Sequence, residues 1–355
     1  MSIYDSKLWL SDLDETVNAI PELKVLEGKH IMITGCTGLI CSAVADVLIR
    51  WNETHGGKIH VLAAGRDEKR IAERFSPYIG ETWLTVVHYD ASLAENKFPP
   101  ACEYIIHGAS NASPNHIVAQ PVETMLSNFS GLKGMLDYAK KAKARRVVFI
   151  SSSEVYGKKE HNRPSKTDEY GWIDLLNPRS SYSIGKCAAE TLCVSYHEEY
   201  GVDSVIVRPG HIYGPTALKS DNRVSSAWAY AVADGDNIVM KSDGAQLRSY
   251  CYCLDCASAI LTVLLKGECR HAYNISNPDS IITIAEMAEL LADHAGAKLI
   301  KEVPTETEKK GFNPMSNSSL DSSDLLALGW KGQFDANRGF GHTIEILRET
   351  AKNDK

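Results

Sequence analysis

The 355-residue sequence predicts an α/β protein, a doubly wound parallel sheet with a smaller C-terminal α/β lobe. Three observations carry this expectation: short apolar runs alternate with helical stretches, a glycine-containing turn joins the first run to the first helix, and the pattern changes after Pro209. The first run is HIMIT, the turn GCTGLIC and the helix SAVADVLIRW, which together open a βαβ unit. Further strand-like runs follow at IHVLAA (59–64), WLTVVHY (83–89), YIIHGA (104–109), RVVFISS (146–152) and SVIVRP (204–209). These runs lack period-two alternation, as expected of strands covered by helices on both faces. The order predicts a Rossmann-type sheet.

After Pro209 come loops rich in Gly, Asp, Asn and Ser, with helical stretches near SAWAYAVADG and TIAEMAELLADHAG. We therefore expect an N-terminal extension (1–27), a dinucleotide-binding domain (28–208, with a return segment near 245–267) and a mostly substrate-binding lobe (209–355). The extension contains a helical stretch around Asp12 to Ile20, suited to packing or to subunit contact.

A net charge of −7 with 44% hydrophobic and 23% charged residues argues against disorder and against a basic nucleic-acid surface. The N-terminus is acidic and no run of about 18 apolar residues occurs, so neither a membrane partner nor export is expected and a cytoplasmic location is. Nine cysteines, an odd number, fit free thiols in a reducing compartment. Cys251, Cys253 and Cys256 cluster as C-x-C-x-x-C without a nearby His, in an apolar stretch, and read as buried strand residues; no metal site is expected.

Gly35 permits a tight turn after the first strand, and Gly38 allows a pyrophosphate to approach N–H groups at the helix start. The expected cofactor contacts here are Gly35, Thr37, Gly38, Leu39 and Ile40. Cys41 replaces the usual third glycine, whose purpose is close helix–strand packing, and a small side chain should be accommodated with slight displacement. The second strand ends AAGRDEKR rather than in the acidic residue that binds the ribose in NAD enzymes; Arg66 could meet a 2′-phosphate, which leaves NAD and NADP both open. Asp90, followed by Ala91, is placed to meet the adenine, although a helix cap would look the same.

Tyr182 and Lys186 lie four apart in YSIGK, on one face of a helical stretch that runs to Tyr200 and stops at Gly201. An ammonium beside a phenol should stabilise the phenolate, giving a base, and the Lys can also hold the nicotinamide ribose. Between the glycine turn and this helix lies SSSEVYG, at the carboxyl end of a parallel strand, where doubly wound sheets place their ligands. A hydroxyl there could bind the oxygen whose proton Tyr182 removes, and Glu154 could act as acid or base on a neighbouring carbon.

Taken together, these segments resemble the extended short-chain dehydrogenase/reductase family, in particular its NAD-dependent nucleotide-sugar epimerases, dehydratases and decarboxylases, over about residues 29 to 295. TGCTGLI is similar to the family's cofactor turn, IIHGASNASP to its fourth-strand end, SSSEVYG to its catalytic Ser/Thr segment, PRSSYSIGKCAAE to its Tyr-Lys helix and RPGHIYGP to the segment leading into its substrate lobe. Within the family the likeness is greatest to the branch that decarboxylates UDP-glucuronate. The resemblance implies cofactor contacts from Gly108, Ala109, Ser110, Pro209, Tyr182 and Lys186, and catalytic roles for Ser152, Ser153, Glu154, Tyr182 and Lys186. It also implies substrate contacts from Ser113, Arg223 and Arg248, and from His211, which stands where the family usually has Asn. A homodimer is implied as well.

That likeness implies oxidation of the sugar C4 hydroxyl to a ketone, a step shared by decarboxylases, 4,6-dehydratases and 4-epimerases. Ser153 replaces the Asp with which glucose-type dehydratases protonate a departing hydroxyl, while mannose-type dehydratases share the Ser-Glu pair; decarboxylation therefore leads, followed by dehydration and then epimerisation. An NADPH-dependent ketosugar reductase and a non-catalytic dinucleotide-binding protein are the remaining readings.

Overall fold

The computed structural model describes residues 2–93, 95–110, 112–303 and 316–352. Six of the seven strands in its large sheet are the six apolar runs: β1 (His30–Thr34), β2 (His60–Gly65), β3 (Leu84–His88), β4 (Tyr104–His107), β5 (Arg146–Ile150) and β6 (Ser204–Pro209). Three short strands follow, β7 (His211–Tyr213), β8 (Ile238–Met240) and β9 (Leu247–Tyr252), before β10 (Ala272–Ile275) joins the large sheet beside β6. The order is β10-β6-β5-β4-β1-β2-β3, with every pairing parallel. β10 was hidden in the sequence because it is four residues long and carries a polar residue, Asn274, whose amide is buried against Tyr156 and two backbone carbonyls.

Helices cover both faces. On one side lie α1 (Lys7–Asn18) and α2 (Leu39–His55); α3 (Glu68–Arg74) and α4 (Pro114–Ala119) are short, and α5 (Pro121–Ala142) and α6 (Ser181–Tyr200) form the other layer. Alternation along β1 divides the core: Ile31 and Ile33 pack with Val44 and Leu48 of α2, whereas Met32 faces Leu132, Met135 and Ala189 of α5 and α6. α6 ends where the sequence indicates, with Gly201 in the left-handed region (φ 70°) as its C-cap.

Downstream are α7 (Val224–Ala233), α8 (Cys253–Lys266) and α9 (Ile284–Ala295), with β11 (Ile281–Thr283) and β12 (Leu299–Lys301) and a C-terminal helix, Ala336–Lys352. β7, β9 and β11 form one small sheet, and β8 and β12 another. The sequence placed a return to the dinucleotide-binding domain near 245–267; in the structure Leu247–Tyr252 pairs in the small sheet, and the chain rejoins the large sheet through α8 and β10. Cys251 lies on β9, but Cys253 and Cys256 are helical, on α8, which is buried on nearly all sides against α2 and the sheet; the strand expectation is corrected for these two. Among the described residues no three metal-ligating side chains gather, and no helix is long and apolar enough to cross a membrane.

The N-terminal extension is part of the core. α1 buries Trp9, Leu13 and Val17. Ahead of it, the Tyr4 hydroxyl donates to buried Asp46 of α2 at 2.5 Å and accepts from Arg74 at 2.8 Å, while Arg74 also pairs with Asp46 at 2.5 Å. Asp12, buried on α1, accepts from the Tyr252 hydroxyl at 3.1 Å and meets His342 Nδ1 at 2.9 Å. These bonds tie the extension to β9 and to the C-terminal helix.

Candidate active site

The chain steps outward from β1 to β2 and β3, then crosses to β4 on the other side of β1, so the carboxyl ends of β1 and β4 flank the point where strand order reverses. Open α/β sheets bind ligands in that crevice. Gly35 opens the turn after β1 with φ 72°, and a Cβ there would stand 3.0 Å from the backbone N of Ala109. The turn after β4 is held to it by Thr34 Oγ1, which accepts from the N–H groups of Gly108 and Ala109, each at 3.2 Å, and contacts His107 Nδ1 at 2.9 Å. Gly38 is the N-cap of α2 and no side chain caps that helix, so its first-turn N–H groups are open to an anion. Thr37 and Ile40 are half-buried and Leu39 is buried beside them.

Cys41 fits for a reason absent from the motif alone. A Cβ on Gly108 would lie 2.4 Å from Cys41 Sγ, so the glycine missing from α2 is matched by a glycine at the end of β4. Burial pushes the Cys41 thiol up to about 12, leaving it an inert packing group near neutrality.

Farther along the crevice, Arg66 is exposed after β2, and its charge helps lower the Asp90 carboxyl; burial opposes that shift, while Ser92, which bonds the carboxylate at 2.7 Å, assists it. Ala91 packs under α5, where a Cβ on Gly131 would be 2.7 Å from its own. The Ser110 hydroxyl donates to Asn128 of α5 at 2.9 Å, and Ser113 is the half-buried N-cap residue of α4.

At the end of β5, Ser152 caps a single turn, Ser153–Tyr156, by accepting from the Glu154 N–H at 3.2 Å. Tyr182 and Lys186 are both buried on α6. Burial, and next the charge of Glu154, push the Tyr182 phenol up to about 12, while hydrogen bonding with Ser152 and the charges of Arg223 and Arg179 act the other way. A phenol lowered by Lys186 was expected; instead the Lys186 ammonium donates to the Ile150 carbonyl at 2.7 Å, and burial brings its own value down to about 7. Glu190, one turn beyond Lys186, partly offsets that fall. Glu190 is itself held by Arg208 of β6 at 2.6 Å and by the Ser151 hydroxyl at 2.5 Å, and Arg208 also donates to the Tyr156 hydroxyl at 2.9 Å. This buried network locks α6 to the ends of β5 and β6.

The sequence reading did not single out Glu190, Arg208, Asn128 or Arg179. Glu190 could have been found from its four-residue spacing after Lys186; the others depend on contacts across the fold.

On the opposite wall, Pro209 ends β6, and His211 begins β7 with Tyr250 of β9 at 5.8 Å between ring centroids. Burial, then the charges of Arg248 and Arg223, bring His211 down to about 3, so it is neutral at pH 7, and its Nδ1 is buried without a hydrogen-bond partner. Arg248, buried on β9, donates to the Leu247 carbonyl at 2.9 Å, and Arg223 precedes α7 with its guanidinium on Asp221, Nε lying 2.9 Å from Oδ2. Arg248 and Arg223 thus act electrostatically on a neutral imidazole, while the start of α2 beside the β1 turn carries no side-chain cap.

A parallel sheet with an open dinucleotide turn and a Ser-Tyr-Lys group at the end of β5 defines a Rossmann-type enzyme. Residues 31–276 match the NAD dependent epimerase/dehydratase family, and the chain belongs to that family. It is 35% identical to UDP-glucuronic acid decarboxylase 1 of Arabidopsis thaliana over 329 residues, which cover 92% of this chain and 71% of that protein. It is 30% identical to UDP-glucuronic acid decarboxylase 6 of the same plant, covering 90% and 89%. Among solved structures, the fold is similar to that of a dTDP-glucose 4,6-dehydratase from Streptomyces venezuelae crystallised with NAD, with TM-score 0.75, 22% identity and coverage of 91% and 98%. The cofactor is NAD, and the crowded Gly35 turn with the uncapped start of α2 forms a cradle that fits its pyrophosphate.

Proposed function

We propose that the chain oxidises C4 of the sugar in a nucleoside-diphosphate sugar and uses the 4-ketone to release CO2 from a glucuronate-type ring. One observation carries this reading: Ser152 and Tyr182 interact at the end of β5, with Lys186 one turn farther along α6 and the dinucleotide turn across the crevice. Tyr182 accepts the C4 hydroxyl proton, Ser152 orients that hydroxyl, and Lys186 holds the nicotinamide ribose. Bound NAD supplies the hydride acceptor and later the donor. Once C4 is a ketone, the C6 carboxylate is β to it. The C5–C6 bond breaks, its electrons move to the ketone oxygen and CO2 leaves; a proton then returns to C5 and hydride to C4, so no external oxidant is consumed.

Ser153 supports decarboxylation over dehydration, since a serine offers no carboxyl to protonate a departing hydroxyl. In this reading Thr37, Leu39, Ile40, Asp90, Ala91, Gly108, Ala109, Ser110 and Pro209 line the NAD, with Arg66 near its adenosine end. Ser113 meets the sugar, and His211, Arg223 and Arg248 bind the diphosphate end, in a lobe formed mostly by residues beyond 209. The test is incubation of the purified protein with a panel of nucleotide sugars, followed by mass spectrometry. Loss of CO2 from UDP-glucuronate is expected; loss of water, an unchanged mass with a new retention time, or no reaction with any sugar would overturn the reading.

We also infer a homodimer. Val118 and Val122 are 70% and 62% exposed, and with Met125, Leu126 and Phe129 they form an apolar stripe along α4 and α5. Sedimentation should give twice the chain mass, and a monomer at micromolar concentration would refute it. Nine free cysteines, seven of them buried, support a cytoplasmic location, which cell fractionation tests.

A further inference from the structure

Three residues spaced four apart on α6 each hold one of three consecutive residues at the end of β5. Tyr182 hydrogen-bonds with the Ser152 hydroxyl, the Lys186 ammonium donates to the Ile150 carbonyl at 2.7 Å, and Glu190 Oε1 accepts from the Ser151 hydroxyl at 2.5 Å. The spacing puts all three on one helix face. Glu190 is gripped from β6 as well, where buried Arg208 donates from Nε to Oε1 at 3.0 Å and from Nη2 to Oε2 at 2.6 Å. Arg208 Nη1 in turn donates to the Tyr156 hydroxyl at 2.9 Å and to the Thr167 carbonyl at 2.8 Å.

Glu190 also supplies the charge that acts on Lys186. Among the described residues, the titratable groups facing the lysine are Glu190, Cys193 and Tyr182 of its own helix, Cys41 of α2 and His107 of β4, with the Phe149 ring of β5 at 4.7 Å from Nζ. Burial holds both thiols and the phenol up at about 12 and His107 down at about 3, so these four are neutral at pH 7. Glu190, paired with Arg208, is the one anion of the set. Burial brings Lys186 down to about 7, and the carboxylate one turn away opposes that fall. Protonation matters here because an ammonium has three N–H donors. The Ile150 carbonyl takes one and leaves two for ribose hydroxyls, whereas a neutral amine would keep only one.

We propose that Glu190 is a positioning residue that sets Lys186 for the cofactor: it fixes the register of α6 on the end of β5 and keeps the lysine in its ammonium form near neutrality. This rests on the role given to Lys186 above.

The test is NMR titration of the NAD-loaded protein labelled with carbon-13 at lysine Cε, the Lys186 signal being identified by its loss in Lys186→Met. Glu190→Gln should move the Lys186 midpoint to lower pH by about one pH unit, and Glu190→Asp, which keeps the charge, should restore it towards wild type. Glu190→Gln leaves Arg208 as an unpaired buried charge; the double variant Glu190→Gln/Arg208→Gln does not, so it carries the test where the single variant fails to fold, and it should show the same downward move. Turnover should fall as pH rises and Lys186 loses its proton, with the fall beginning about one pH unit lower in Glu190→Gln. A purely structural role would lower stability and turnover without moving the lysine titration. A midpoint unmoved by either charge-removing variant, or a wild-type midpoint near the ordinary lysine value of about 10.4, overturns the proposal. A wild type that converts no nucleotide sugar sinks the functional reading, while the lysine titration still decides this one.

Discussion

Replacing Gly108 by Ala would put a methyl carbon 2.4 Å from Cys41 Sγ and 3.0 Å from Ile150 Cδ1. Ordinary carbon–sulfur contact is on the order of 1 Å longer, and neither neighbour is free to give way: Cys41 lies in the first turn of α2, and Ile150 ends β5. Overpacking of this kind costs roughly 1–3 kcal/mol. The strain falls on the start of α2, where the pyrophosphate would sit, so NAD affinity should drop together with stability. Cys41→Gly removes the sulfur and should rescue the Gly108→Ala protein, although alone it costs about 1 kcal/mol through the helix propensity of glycine. Urea unfolding and NAD titration of the two single variants and the double variant close a double-mutant cycle. A coupling energy of about 1 kcal/mol or more is expected; additivity within about 0.3–0.5 kcal/mol would refute the idea that the two positions compensate each other.

Other consequences are more local. Tyr182→Phe should reduce turnover by about 10²–10⁴ while NAD still binds, and retention of wild-type turnover would remove Tyr182 from the chemistry. His211 has a folded pKa of about 3, below its ordinary value, so between about pH 6.5 and 3 the unfolded chain binds more protons and stability falls as pH falls. Thermal melts across that window should show a shallower acid loss for His211→Asn than for wild type, with the residual slope shared by His107, which burial also brings to about 3. Tyr4→Phe removes a hydrogen bond to buried Asp46 and should destabilise by about 1–3 kcal/mol in urea; no measurable change would mean that the N-terminal segment contributes little to folding.

The six apolar runs, the glycine turn and the Tyr-Lys helix were legible because each is local. Uninterrupted apolar stretches mark strands with helices on both sides, and Gly201 marks the end of α6 because a left-handed cap favours glycine. β10 was not legible, since a four-residue strand with a buried Asn has no periodic signature. Cys253 and Cys256 were assigned to a strand because a helix buried on nearly all sides loses the polar stripe by which helices are recognised.

The sequence by itself determined the sheet type, the glycine turn after the first strand and the spacing that puts Tyr182 and Lys186 on one helix, all set within one or two adjacent elements. Only the tertiary structure decided the electrostatics. Lys186 turns to the Ile150 carbonyl, burial raises Tyr182 and neutralises His211, Arg179 holds Glu154, and Gly108 makes room for Cys41. Each of these depends on groups far apart in the chain or on exclusion of water, and charge energies and packing distances are set by that environment rather than by residue type.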